Sequence, residues 1–410
     1  MNKIYIQSGK SETDIAILKN GELEEYLIEK KENKRKLGNI YRARVEDVLE
    51  GMQSAFVDIG EEKNAYLYLT DALTQHEKSI GKKYFIKDLL KPGEEVIAQV
   101  KKEALDGKGA KITTNIRLPG KYITLTPFRN KVSFSSSIKD KEVVASLSLL
   151  GEEVKNKKVG LMFKKESKGI GKKLIEKEYK MLFDTYKEIE KQRHFLPTPK
   201  LLYEAGDLIY KTVRDIYIPG KYKIIVNGKE AYDRVTNASR NLGISIGKDI
   251  IKDTKLNFKY NESIQKGLKV ALSRRVNLKS GGSIVIDETE ALTAIDVNTG
   301  KSIGKLSFQE TILQTNLEAA YEVAKQIKLR NLGGIIIIDF IDLKSAKDKE
   351  EMLGNLKKAF SEDDNRPNLV GITRLGLVEV TRKKEGASLS DYMCFDCETC
   401  KGLGKTVKKD

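Results

Sequence analysis

Residues 281–298 read GGSIVIDETEALTAIDVN, and residues 332–342 read LGGIIIIDFID. The apolar runs at 283–286, 292–295 and 335–338 are short and bounded by glycine or acidic residues, which marks them as strands. Helical spacing over about 307–330 and 347–360 fills the gaps, and two more strands follow at 369–373 and 378–381. Such alternation predicts an α/β layer on a largely buried sheet. Asp296 and Asp339 each stand at the end of one of these strands, with Gly300, Gly333 and Gly334 leaving room for close approach. Two carboxylates so placed suit Mg²⁺, which takes one or two carboxylates and leaves its other octahedral positions to water and phosphate oxygens. Asn298 is close enough to hold Asp296 or a bound water, and Asp342 is a candidate outer ligand. The competing reading is that these aspartates cap helices or begin turns.

Toward the N-terminus, residues 14–18 alternate apolar and polar, turn at Asn20-Gly21 and resume over 23–28, a hairpin signal. Five short strands at 40–48, 54–59, 65–69, 95–101 and 111–115 predict a small closed barrel of the OB type. Residues 116 to about 170 read as strands and include the start of a lysine-rich stretch, 155–173, that is either a solvated loop or a nucleic-acid contact. A long helix then carries Leu174, Ile175, Tyr179, Leu182, Phe183, Tyr186 and Ile189 on one stripe and stops at Pro197 and Pro199. Strands at 208–210 and 223–226 alternate with helices near 230–242 and 261–274, a second α/β region.

The 410 residues imply two to four packed units. Lys and Arg number 75 against 59 Asp and Glu, a formal charge of +16 that attracts polyanions, nucleic acid first among them. No apolar run is long enough to span a bilayer, and the opening residues 1–6 read as a strand, not a secretory signal, so a cytoplasmic protein is expected. With only His76 and His194 present, chemistry falls to carboxylates, lysines or a metal.

Three further features carry chemistry. Phe56 and Tyr66 sit on neighbouring barrel strands beside Arg42, Arg44 and Lys108, and aromatic platforms beside cations bind single-stranded nucleic acid; the alternative is that each aromatic is core. The stretch 298–302 ends in Gly-Lys-Ser but lacks the glycine five residues earlier that a phosphate-binding loop needs, because Ile295 occupies that place. All three cysteines, Cys394, Cys397 and Cys400, lie together, and Cys397 and Cys400 have the spacing and following glycines of a zinc knuckle. A structural Zn²⁺ needs four ligands, so a site shared by two chains is the economical inference and implies a homodimer; a redox or incidental cluster is the alternative.

Taken together, these residues resemble the catalytic half of the ribonuclease E/G family over nearly the whole chain. The most specific stretches are 281–298, 315–320, 332–342 and 373–377. The resemblance implies a multi-subdomain α/β fold. A ribonuclease-H-like subdomain (1–35 and 208–271) holds an inserted S1-type OB barrel (36–116). A 5′-end sensor (117–207), a deoxyribonuclease-I-like catalytic subdomain (272–393), a zinc link (394–404) and a tail (405–410) complete it. It further implies hydrolysis of single-stranded RNA to 5′-phosphate ends, in ribosomal RNA processing and mRNA decay. Asp296 and Asp339 match the aspartates that bind catalytic Mg²⁺, Asn298 the asparagine that supports them, and Phe56, Tyr66 and Lys108 the RNA contacts of the barrel. Cys397 and Cys400 match the intersubunit Zn²⁺ link, with Cys394 an additional candidate ligand. Where the family's sensor carries an Arg-Thr pair, this chain has Lys164-Lys165, point charges without the guanidinium fork. The chain stops at Asp410, so a homodimer without a tail-organised degradosome is expected. An RNA-binding protein with an idle nuclease site and a metal-dependent deoxyribonuclease are the alternatives.

Overall fold

The computed structural model describes residues 1–32, 35–73, 83–104, 108–156, 159–300, 308–384, 386–400, 402, 404 and 406. His76, the end of the stretch 298–302, parts of the zinc link and all but one residue of the tail lie outside the described residues. The chain divides into two compact units: Met1–Ile28 with Tyr222–Gly228 and Ile251–Asp410, and Glu29–Lys221 with Lys229–Ile250.

In the first unit, one sheet has the order Ile250–Lys252, Tyr222–Val226, Asn2–Ser8, Glu12–Lys19, Glu22–Lys30. Its expected hairpin is present: Asn20 (φ 51°) and Gly21 (φ 85°) are both left-handed, the turn whose twist matches that of the strands it joins. Helix Glu262–Ala271 lays Ile264, Leu268 and Ala271 against Ala16, Leu18, Leu23 and Ile28.

The second sheet of this unit has the order Arg275–Asn277, Ser283–Glu288, Leu292–Asn298, Gly334–Asp339, Val378–Arg382, Asn368–Ile372. Its two middle strands run parallel. Helices Phe308–Leu329 and Ala346–Phe360 bury Ala319, Val323, Ile327, Met352, Leu356 and Phe360 against Ile295, Val297, Ile336, Ile338, Val378 and Val380. Among the described residues, these helices cover that face alone. Ile335 is 50% exposed and Asp296, Asn298 and Asp339 are exposed, so the expectation of a largely buried sheet is corrected. A run of four isoleucines looks buried on both sides, yet alternate residues of a strand point to opposite faces, and both helices dock on one.

Asp14, on strand Glu12–Lys19, is 8% exposed, and burial, with Glu12 adding to it, pushes its carboxyl up to about 7. An unfolded carboxyl ionises near pH 4, so the native state holds this proton more tightly and stability falls as pH rises from about 4 to 7. At about 1.4 kcal/mol per pH unit the cost approaches about 4 kcal/mol above pH 7. Asp14→Asn is expected to raise the melting temperature at pH 8 and leave it nearly unchanged at pH 4. Equal melting temperatures for the two proteins at pH 8 would refute this.

In the second unit, strand Ile40–Leu49 pairs antiparallel with both Ser54–Asp58 and Glu95–Lys102, closing a barrel through Ala65–Tyr68 and Lys111–Thr113. A parallel pairing joins Ala65–Tyr68 to Lys111–Thr113, and this order is compatible with an OB-type fold. Alternate residues Ala43, Val45, Ala55, Val57, Ala65, Leu67, Ala98 and Val100 fill the interior. A four-stranded sheet follows, made of Leu118–Pro119, Ile123–Thr126, Val132–Phe134 and Gly160–Phe163. It shares a core with helix Lys172–Gln192, which stops before Pro197 as expected.

Two local expectations are corrected. Residues 141–154 form a helix, Lys141–Val154, whose start is fixed by Asp140 accepting hydrogen bonds from the amides of Glu142 and Val143. Its paired β-branched residues mimic a strand, but that cap and the buried Leu147 and Gly151 decide for helix. Residues 208–211 are helical too, Leu208–Lys211, capped by Asp207 accepting from the Tyr210 amide at 2.8 Å.

Candidate active site

Register brings the two aspartates together: across the parallel pair, Asp296 lies directly opposite Asp339. Neighbours in register share a face, so both carboxylates lie on the uncovered side of the sheet, as does Asn298 two residues along. Asp296 is not at a strand end, since Leu292–Asn298 continues past it, whereas Asp339 is the last residue of Gly334–Asp339. The Asn298 amide donates to Asp296 Oδ2 at 2.7 Å, which constrains that carboxylate's orientation while the residue stays exposed. Neither aspartate caps a helix, and neither has an ion pair among the described residues. Two oxygen donors on adjacent strands, open to solvent and steadied by an amide, fit a hard divalent cation that keeps most of its waters. Among the described residues no group of three or more His, Cys, Asp or Glu is gathered, so protein would supply only part of such a shell.

The supports of this pair come from distant sequence. Asn316, fully buried on helix Phe308–Leu329, donates to the Ile341 carbonyl (2.7 Å) and accepts from the Ile341 amide (3.1 Å), clamping the segment that follows Asp339. Sequence reasoning quoted Asn316 without giving it a role. The signal was there: an amide within the apolar stripe of a helix must be satisfied, and here it is satisfied by backbone. Glu318, two residues along the same helix, accepts from the Lys279 and Ser280 amides, and a methyl group on Gly300 would stand 2.1 Å from the Gly281 carbonyl oxygen, so the loops beside Asn298 are closely packed. Asp342 is exposed and lies beside Gly376.

In the other unit, Phe56 and Tyr66 are paired across neighbouring strands with ring centroids 4.9 Å apart, both half-buried on the outside of the barrel. Lys111, which sequence reasoning passed over, stands opposite Tyr66 in register and places its ammonium 4.5 Å from the Tyr68 ring. Lys108 is exposed. A methyl group on Gly109 would stand 1.9 Å from the Asn64 carbonyl oxygen, so only glycine lets the chain at this point lie against Asn64, next to the strand that carries Tyr66. Arg42 and Arg44 are both drawn to Glu95, Arg42 also donating to the Leu196 carbonyl.

Lys164 and Lys165 are placed differently from each other. Lys164 donates to the Gly120 carbonyl and to Asp215 Oδ1, each at 3.0 Å, and is only 22% exposed. Burial pushes Asp215 up, but Arg214 and then Lys164 outweigh it and hold the carboxyl at about 2. Beside them Lys121 is buried, donating to the carbonyls of Arg214 (3.0 Å) and Tyr217 (2.5 Å), and desolvation, with Lys164 next, lowers its ammonium to about 8. Lys165 is half-exposed beside Glu166.

Cys394 and Cys397 are exposed and Cys400 is partly so, all as free thiols. Backbone amides of Cys400 and then Thr399 push the Cys397 thiol down, the environment of a thiolate ligand.

Comparison with known proteins extends over both units. A family model described as "Ribonuclease E/G family" matches residues 117–385. "Ribonuclease G" of Haemophilus influenzae is 36% identical over 414 residues, covering 97% of this chain and 83% of that protein. "Ribonuclease G" of Escherichia coli strain K12 is 34% identical over 420 residues, covering 99% of this chain and 84% of that protein. "Ribonuclease E" of a Nostoc species is 36% identical over 381 residues, covering 91% of this chain and 55% of that protein.

Proposed function

The chain belongs to the ribonuclease E/G family, and from that premise we propose that it is an endoribonuclease that cuts single-stranded RNA with Mg²⁺ held by Asp296 and Asp339. The observation that carries the proposal is the in-register pairing of these aspartates on an uncovered sheet face. Bound there, Mg²⁺ supplies charge neutralisation at the phosphate and activation of water for in-line attack. Asn298 keeps Asp296 in the orientation that binding requires, and Asn316 fixes the backbone beyond Asp339. Phe56 and Tyr66 stack bases while Lys108 attracts the backbone, a division of labour common on OB-type barrels. Hydrolysis leaves a 5′-phosphate and a 3′-hydroxyl, as for the family, and ribosomal RNA processing and mRNA decay are the settings inferred. The subdomain limits inferred from the resemblance, with an S1-type barrel at 36–116 and a catalytic part at 272–393, belong to this proposal.

The test is cleavage of a 5′-labelled single-stranded RNA, and of matched DNA, in Mg²⁺ and in chelator. Cleavage of RNA alone, abolished by chelator and weakened by Tyr66→Ala at the level of binding, supports the reading. Binding without cleavage makes the protein an RNA-binding protein instead, and cleavage of the DNA makes it a general nuclease.

Cys397 and Cys400 supply half of a tetrahedral thiolate shell, and we infer that two copies complete it around Zn²⁺, with Cys394 the spare candidate. Sedimentation is expected to show a dimer that falls to monomer with a zinc chelator or on Cys397→Ser. A dimer unchanged by both treatments would overturn the link.

A further inference from the structure

Residues 373–377 form a turn between strands Asn368–Ile372 and Val378–Arg382. Ile338 lies opposite Val378, so this turn stands beyond the carboxyl end of Gly334–Asp339, the end that carries Asp339. It also lies near the segment after Asp339, since a methyl group on Gly376 would stand 3.9 Å from Asp342 Oδ1. The turn is pinned internally. The Thr373 amide donates to the Leu377 carbonyl at 2.8 Å, and the Gly376 amide donates to the Thr373 carbonyl at 3.1 Å. Thr373 Oγ1 accepts from the amides of Leu375 (3.2 Å) and Leu377 (3.1 Å), and Gly376 takes φ +89°, which favours glycine.

Yet the two side chains at its tip point outward. Leu375 is 86% exposed, and Arg374 is exposed with no ion pair among the described residues. A lone exposed leucine is ordinary on a protein surface. A leucine fixed outward on a pinned turn, next to an unspent guanidinium and at the strand end bearing a catalytic carboxylate, is not explained by folding. Neither side chain stabilises the turn, which is made by Thr373 and Gly376.

We propose that this turn is a substrate clamp: Arg374 binds a phosphate next to the one being cut, and Leu375 lies against the face of a flanking base. The proposal rests on the ribonuclease reading above. Two carboxylates repel a polyanion, so a cation is needed beside them to draw the backbone in, and a guanidinium can grip phosphate oxygens in bidentate fashion. An apolar side chain against a base face is tolerant of sequence, because every base presents one. The turn therefore positions RNA without dictating a sequence.

The test uses the full chain, Mg²⁺ and a single-stranded RNA carrying one 4-thiouridine, scanned along its length, with Arg374→Ala and Leu375→Ala as variants. Each variant is expected to lower kcat/KM about tenfold while melting temperature stays unchanged, because contacts to phosphates and base faces are worth about that much. For Arg374→Ala the slope of log KM against log salt should also fall by about one, and for Leu375→Ala it should not change. The thiouridine should crosslink to the peptide containing Leu375. Native kinetics in both variants, or crosslinks confined to other peptides, would overturn the clamp. So would native cleavage joined to loss of the dimer, which would mark the turn as a contact between copies. If the native chain cuts no RNA, the ribonuclease reading fails, and the crosslink to bound RNA still decides whether the turn contacts it.

Discussion

Asp296→Asn and Asp339→Asn are each expected to reduce RNA cleavage by about 10³-fold or more, while RNA affinity changes by less than about threefold. Both residues are exposed on one sheet face, so an isosteric amide disturbs no core packing and costs little stability. What is lost is negative charge at the two positions able to hold a divalent cation from adjacent strands. The double variant should be scarcely worse than either single one, because residues that hold one ion act as a unit. Asn298→Ala should cost less, about 10- to 100-fold, as expected of a group that orients a ligand. Single-turnover cleavage beside a filter-binding measurement checks this. A variant that still cuts within tenfold of native would remove its aspartate from the proposed metal site.

Arg382→Met should destabilise the first unit by about 3–5 kcal/mol, the range for stripping one partner from a buried ion pair. Arg382 is 4% exposed and Asp363 6% exposed. Arg382 Nε and Nη2 meet the two Asp363 oxygens at 2.7 and 3.3 Å. Its Nη1 donates to the Leu332 carbonyl (2.8 Å) and to Asn331 Oδ1 (3.0 Å). Methionine fills much of the space but leaves a carboxylate and a carbonyl buried without their donor. The consequence reaches function, because Leu332 precedes the strand that ends in Asp339. A fall of about 10 °C in melting temperature is expected, with much of it restored by the double variant Arg382→Met, Asp363→Leu, which removes both charges. A single variant that melts within about 2 °C of native would show that the pair contributes little.

Local pattern made much of this protein legible. Asn20-Gly21 between two alternating runs could only be a hairpin, and the five short strands after residue 38 close as a barrel. Helix Lys172–Gln192 ends where its prolines require, and the aspartates at 296 and 339, the cysteine cluster and the aromatic pair at 56 and 66 were all identifiable as candidates. These rest on periodicity, turn chemistry and residue type, which are properties of neighbours in sequence. Helices Lys141–Val154 and Leu208–Lys211 depart from the local pattern: the first has β-branched residues that imitate a strand and a cap of a single Asp140, and the second is one short turn fixed by Asp207.

Tertiary structure decided everything that depends on partners far apart in the chain. Only strand pairing sets Asp296 opposite Asp339, and only the docking of both helices on one side leaves that pair open to solvent. Lys164 reads as an available phosphate contact until Asp215 is seen 3.0 Å away, and Asn316 reads as an ordinary helical polar residue until Ile341 meets it. The sequence determines which side chains exist and how each segment prefers to fold. Register, the choice of covered face and the partner of each buried charge follow from minimising exposed apolar area and unpaired polar groups over the whole chain at once, a condition no local window contains.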